Sequence, residues 1–224
     1  MKPTPSKKET DTVRKAMTAC KCEHGGNILW NHNYAYNRWI AKKIGSRKRI
    51  LDVGCGNGTL ALFLRNDDNY VLGIDPSERS VRRANEQNMY SNAAFILTTF
   101  EDFQPNGQSF DAVIFVASIH PMSMVEALEK AKSMLEENGI LIIVGLAKPS
   151  NFFDWVVELL RIVPSRVVSA VKQNATSEEL DMEVSYDFPT MGEVRRIAGR
   201  VLPGHTLRYG LHYRYLLSWE KPHR

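Results

Sequence analysis

The sequence predicts an α/β domain: a doubly wound, seven-stranded, mostly parallel sheet with an antiparallel closing strand and helices on both faces. Three observations carry this expectation. Five short segments are apolar without polar alternation, the pattern of strands buried on both faces. Segments with helical spacing or helix-start residues separate them. A glycine-rich turn follows the first such segment, where open α/β sheets bind ligands.

Taken in order, residues 1–12 (MKPTPSKKETDT) hold two prolines and almost no apolar side chain, and read as a frayed arm. Gly25-Gly26 breaks the stretch behind it, so residues 1–29 are set apart, partly disordered, from a domain spanning 30–224. Tyr36, Trp39, Ile40 and Ile44 recur at helical spacing until Gly45 stops the helix. Arg49–Val53 is the first strand, and Thr59–Leu64 opens the helix after the turn. Tyr70–Ile74 is the second strand, and Ser77 caps a polar helix running to about Tyr90. Ala94–Leu97 and Phe110–Val116 are the third and fourth strands. A helix covers Met122–Leu135, and Asn138-Gly139 turns into a fifth strand, Ile140–Gly145.

Residues 148–189 interrupt the alternation and read as an inserted lid over the substrate. Within them Phe152–Val163 and Pro164–Val171 have the look of amphipathic helices, able to wall an apolar pocket or simply to pack on the core. Thr190 caps a last helix, Met191–Val201, and His205–Tyr209 with Tyr213–Trp219 form a closing pair of strands.

The turn reads Asp52-Val-Gly54-Cys55-Gly56-Asn57-Gly58. A dinucleotide fingerprint is G-x-G-x-x-G; here the spacing is G-x-G-x-G, with an acid two positions ahead. That acid repels a pyrophosphate and suits a cationic group such as an ammonium or a sulfonium. Asp75 ends the second strand, 17 residues beyond Gly58. A carboxylate there can accept from both hydroxyls of a ribose, or serve only as a helix-start cap. Cys55 is the small residue between two glycines.

These segments resemble the class I S-adenosylmethionine-dependent methyltransferases, a Rossmann-like family, and among them a bacterial small-molecule branch. ILDVGCGNGTL resembles their first motif and VLGIDPS their second. FDAVIFVASIHPM resembles the fourth-strand segment whose end, at Val116, lies beside the reactive methyl. NGILIIVGLAKP, the tail LPGHTLRYGLHYRYLLSWEKP and the early WNHNYAYNRWI complete the likeness. The resemblance implies that Asp52 and the loop of Gly54, Cys55, Gly56 and Gly58 hold the methionine end of S-adenosyl-L-methionine. It implies Asp75 for the ribose and Pro76 against adenine. Where the family often has an acid for the adenine amino group, this chain has Thr99, with the Phe100 amide as a second contact and Asp102 as a substitute.

Methyl transfer from a sulfonium is an in-line displacement, and a base is needed only if the acceptor must lose a proton. His120, after the fourth strand, is the candidate base, or a residue that merely shapes the pocket. His32 and Tyr36 could fold over the cofactor or pack as ordinary helix residues. Cys20-x-Cys22-x-His24 lacks the usual C-x₂-C metal spacing, so no metal is expected.

Composition narrows the remaining classes. The 224 residues are 43% hydrophobic and 24% charged, ordinary globular values that exclude whole-chain disorder. Residues 1–50 hold 12 Lys/Arg and 3 Asp/Glu, whereas 51–224 hold 17 and 22. A basic DNA-binding body is disfavoured; a basic arm gripping RNA, and hence an RNA methyltransferase, is the alternative to a small-molecule enzyme. Three cysteines and no apolar run of 18 residues fit a cytoplasmic protein that spans no membrane. Oligomeric state has no signature in the sequence.

Overall fold

The computed structural model describes residues 35–148, 188–210 and 213–223. In chain order these form α1 (Asn37–Ile44), β1 (Arg49–Val53), α2 (Thr59–Leu64), β2 (Tyr70–Asp75), α3 (Glu78–Gln87) and β3 (Ala93–Leu97). There follow β4 (Phe110–Val116), α4 (Met124–Met134), β5 (Leu135–Leu146), α5 (Met191–Val201), β6 (Thr206–Tyr209) and β7 (Arg214–Glu220). The seven strands make one sheet in the order β3-β2-β1-β4-β5-β7-β6. β1 to β5 run parallel, and β7 lies antiparallel to both β5 and β6. The expected architecture is the one observed. The residues of the proposed lid, apart from Lys148, Phe188 and Pro189, lie outside the described residues, as do the arm and His32.

Alternate residues of the central strands feed two separate cores, as the period of two demands. Leu51, Val53, Val113, Phe115, Leu141 and Ile143 face α4 and α5. Ile50, Ala112, Ile114, Ile140, Ile142 and Val144 face α1, α2 and α3. Burial on both faces is why these strands carry no polar alternation. The strand order reverses between β1 and β4, so the crevice beyond their carboxyl ends is the topological switch point.

Two boundaries differ most from expectation, the others by no more than two residues. β5 begins at Leu135, directly after α4, because Leu135 pairs with Phe110 before the register shifts. Asn138, at φ 60°, makes its turn inside that strand rather than ahead of it. α3 ends at Gln87, not Tyr90, since Asn88 turns extended and its side-chain amide donates to the Ala93 carbonyl at 2.8 Å.

α5 starts with a complete capping box. Thr190 Oγ1 accepts from Glu193 N at 3.2 Å, and Glu193 Oε2 accepts from Thr190 N at 2.8 Å. Thr190→Ala should therefore cost about 1 kcal/mol in urea unfolding; an unchanged midpoint would show that the cap contributes nothing.

Candidate active site

The loop after β1 is built by turning its backbone donors into the protein. Gly54 N and Cys55 N both donate to Ile74 O, at 2.8 and 3.0 Å. Gly56 N donates to Asp75 Oδ2 at 2.8 Å, and Gly58 N to Cys55 O at 3.0 Å. A phosphate cradle needs free amides; in this loop those four are committed. Gly54, Gly56 and Gly58 all have positive φ, which only glycine adopts freely. Their surroundings differ. A Cβ on Gly54 would stand 2.3 Å from Ser118 Cβ, and one on Gly58 would stand 2.6 Å from the Phe95 ring. A Cβ on Gly56 would meet nothing within 4 Å, so this is the glycine that looks into open space.

Two carboxylates stand at the strand ends beside this loop. Asp75, on β2, accepts from Gly56 N through Oδ2 and from Ser77 N through Oδ1 at 2.9 Å. Each oxygen keeps further acceptor capacity. Asp52, on β1, is only 1% exposed, and its Oδ2 is buried without a hydrogen-bond partner. Burial, and then the charge of Asp75, push its carboxyl up to about 7. A cation beside Asp52 would relieve both effects.

The chain leaving β4 closes the other side of the crevice. Ala117 adopts φ 56°, a strained conformation for a residue with a side chain, and its N donates to Val144 O at 2.8 Å. Ser118 Oγ then donates to Val53 O at 2.5 Å, fastening this loop to the end of β1. Ile119 is buried, and His120 follows with its ring edge-on to Phe188, centroids 5.2 Å apart. Its Nδ1 is buried without a partner, and burial holds the imidazole below its ordinary pKa. His120 lines a cavity of about 310 Å³. Ile119, Met122, Met124, Phe188 and Ile197 give it apolar walls, with Pro189 beside them. Lys148, Glu193 and Arg196 are its charged residues.

The remaining expected residues divide. Val116 is half-buried at the end of β4, and Pro76 is exposed next to Asp75. Thr99 Oγ1 donates to Asp102 Oδ2 at 2.8 Å and accepts from Asp102 N at 3.0 Å, so Thr99 and Asp102 act on each other. The Phe100 ring is buried edge-on to Phe115, which leaves only its backbone to reach a ligand. Cys55 is corrected to a packing residue: its amide is bonded to Ile74 O, and its thiol lies over Gly73 in β2. Burial and the neighbouring carboxylates push that thiol's pKa up, so it is no nucleophile. Tyr36 is likewise buried in the second core, and a Cβ on Gly210 would stand 2.8 Å from its hydroxyl.

His32 and the Cys20–His24 cluster lie outside the described residues. Among the described residues no group of three or more His, Cys, Asp or Glu could hold a metal. No helix among them is long and apolar enough to cross a membrane. Ser118, Lys148, Glu193 and Arg196 were not expected at the site. Ser118 stands in the fourth-strand motif itself; the other three have no local signal.

The fold and this crevice have known counterparts. A family model described as a methyltransferase domain matches residues 44–189. The chain belongs to the methyltransferase family. An uncharacterized methyltransferase of Mycobacterium bovis is 29% identical over 202 residues, covering 86% of this chain and 98% of the relative. The ubiquinone biosynthesis O-methyltransferase of Bradyrhizobium diazoefficiens is 29% identical over 123 residues, 54% of this chain and 46% of that enzyme. The plantazolicin methyltransferase, solved with S-adenosylhomocysteine, shares the fold with a TM-score of 0.60 at 15% identity, covering 96% of this chain and 88% of that one.

This methyltransferase has class I architecture, and S-adenosylmethionine is the cofactor of that class. The crevice fits such a ligand on its own chemistry. It has an orphaned buried carboxyl for a cation, a second carboxylate with spare acceptors, and an open face at Gly56.

Two outcomes follow. Gly56→Ala should cost only the roughly 1–2 kcal/mol of left-handed backbone yet weaken S-adenosylhomocysteine binding at least tenfold by calorimetry. Gly54→Ala should lower stability further by its clash with Ser118; the opposite ranking would contradict these roles. Asp52 has a raised pKa in the folded chain, so its stabilising contribution is full below the unfolded value near 3.8 and is lost as pH rises through about 7. Asp52→Asn should therefore show a gain in melting temperature that grows from pH 4 to 7 and then levels off, together with lost S-adenosylhomocysteine binding. A pH-independent difference would remove the buried-charge account.

Proposed function

We propose that this methyltransferase acts on a small-molecule acceptor held in the cavity beside His120, by in-line displacement. The observation that carries this reading is the cavity itself. It is lined by the apolar side chains Ile119, Met122, Met124, Phe188 and Ile197 together with charged Lys148, Glu193 and Arg196, and lies two residues along the chain from Ser118, the residue fastened to β1 beside the glycine loop. Its volume is at the lower end of the range for small-molecule sites. The O-methyltransferase of ubiquinone biosynthesis among the relatives supports an acceptor of this kind.

When bound, S-adenosylmethionine supplies a methyl group already activated by its sulfonium. The chain's own residues do the rest. Asp52, beside the Gly54–Gly58 loop, favours the cationic methionine end. Asp75 accepts from ribose hydroxyls with the lone pairs that Gly56 N and Ser77 N leave free. Pro76, Thr99 with its partner Asp102, and the Phe100 backbone border the adenine. Val116 ends β4 at the crevice, where the acceptor approaches.

His120 is the base in this reading. Its lowered pKa keeps the imidazole neutral at physiological pH and able to take a proton from an acceptor hydroxyl or amine. His120→Ala should lower turnover at least a hundredfold while leaving S-adenosylhomocysteine affinity within twofold. In the wild type, kcat should rise with pH through a midpoint below 6.5 and stay flat above it. Unchanged turnover in the variant would leave His120 as a wall of the pocket only.

A further inference from the structure

We infer that Ser118 is a positioning residue for methyl transfer. It ties the strained turn that presents His120 to the strand end that carries the cofactor loop, so that filling the loop stiffens the acceptor side. The inference rests on the reading of the cavity beside His120 as the acceptor site and adds how that side is held in register with the cofactor.

The turn begins where the sheet opens. β1 pairs with β4 as far as Val53 and Phe115. β4 pairs with β5 one residue further, to Val116 and Val144. Ala117 then takes φ 56°, in the left-handed region that a residue with a Cβ avoids. Such a conformation persists only where its surroundings over-determine it, and it gathers at functional sites.

Two bonds hold it here, one to each flanking strand. Ala117 N donates to Val144 O of β5 at 2.8 Å. Ser118 Oγ donates to Val53 O of β1 at 2.5 Å. The turn is thereby pinned across the crevice at which the strand order reverses. The contact with β1 has a second part. Ser118 Cβ stands where a side chain on Gly54 would have to go, so the serine and the first glycine of the loop fit against each other. Beyond Ser118, Ile119 is buried and Met122 N donates back to Ile119 O at 3.2 Å. His120 sits inside this short bonded turn, so its backbone follows Ser118.

The cofactor loop is held on its other side by Gly56 N, which donates to Asp75 Oδ2 at 2.8 Å. Opening the turn breaks the bond to Val53 and loosens the packing on Gly54. A ligand seated on the loop opposes that opening. In-line displacement rewards the arrangement, since a misplacement of about 1 Å can cost about a hundredfold in rate.

Residue-resolved hydrogen exchange on the full-length protein, with and without saturating S-adenosylhomocysteine, tests the link. The reporters are the bonded amides of Ala117 and Met122, which flank the turn. The controls are Val113 and Ile114, at the buried centre of β4. In the wild type the ligand should slow exchange at both reporters by at least about fivefold. Ser118→Ala keeps the Cβ and loses the donor. Its reporters should exchange about fivefold faster than those of the ligand-free wild type and no longer respond to the ligand. Its controls should still slow, because the ligand opposes wider unfolding in every variant. Ser118→Thr and Ser118→Val, matched in shape, separate the hydroxyl from bulk, and only Ser118→Thr should keep the response. Reporters that ignore the ligand in the wild type, that still answer it in Ser118→Ala, or that behave alike in Ser118→Thr and Ser118→Val would each overturn the inference. Wild-type protein that fails to bind S-adenosylhomocysteine would instead overturn the cofactor reading. No acceptor is present in this experiment, so failure of the acceptor reading shows separately, as unchanged turnover in His120→Ala.

Discussion

A buried carboxyl oxygen with no hydrogen-bond partner is expensive, and Asp52 Oδ2 is such an atom. The crevice of this enzyme is arranged around that one cost. The loop donors that could have satisfied Asp52 point instead to Ile74 O, to Asp75 and to the loop's own carbonyl. The remaining ways to settle the carboxyl are a proton or a cation. A cation beside Asp52 would favour its ionised form, so binding of such a group would be coupled to release of a proton. A buried carboxyl of this kind costs stability, a common trade at functional sites.

The second half of the site is attached to the first through Ser118. Its hydroxyl is bonded to Val53 O, and its Cβ fills the space that Gly54 leaves. The chain that carries His120 to the neighbouring cavity is therefore located by the same strand end that carries Asp52. Methyl transfer tolerates little error in the line from donor to acceptor. A single short contact between the two loops removes much of the freedom that would otherwise accumulate between them.

The strands were legible because burial on both faces writes itself as continuous apolar residues, as in Phe110–Val116, which the structure reproduces residue for residue. Asp52 stood out because an acid is out of place ahead of a phosphate loop. Other features depend on partners distant in sequence. The early start of β5 is made by Phe110, across the sheet. Tyr36 packs beside Gly210, and Cys55 beside a glycine in the next strand. Lys148 and Arg196 meet only because Lys148 pairs with the cap of α5. The assignments of Thr99 and Phe100 rested on family likeness alone, which could not show that the Thr99 hydroxyl is tied to Asp102.

Phe95, on β3, touches no part of the proposed chemistry. Yet its ring occupies the room that side chains on Gly58 and Gly73 would need. Glycine spacing in this motif is thus partly a record of an aromatic residue on the neighbouring strand. Loss of the ring at 95 would remove one obstacle at 58 and one at 73, while the left-handed φ of Gly58 and the Cys55 side chain over Gly73 would remain; at 56 the positive φ is the constraint that stays inside the protein. Within one five-residue turn, then, different positions are held by different selective pressures and should drift at different times.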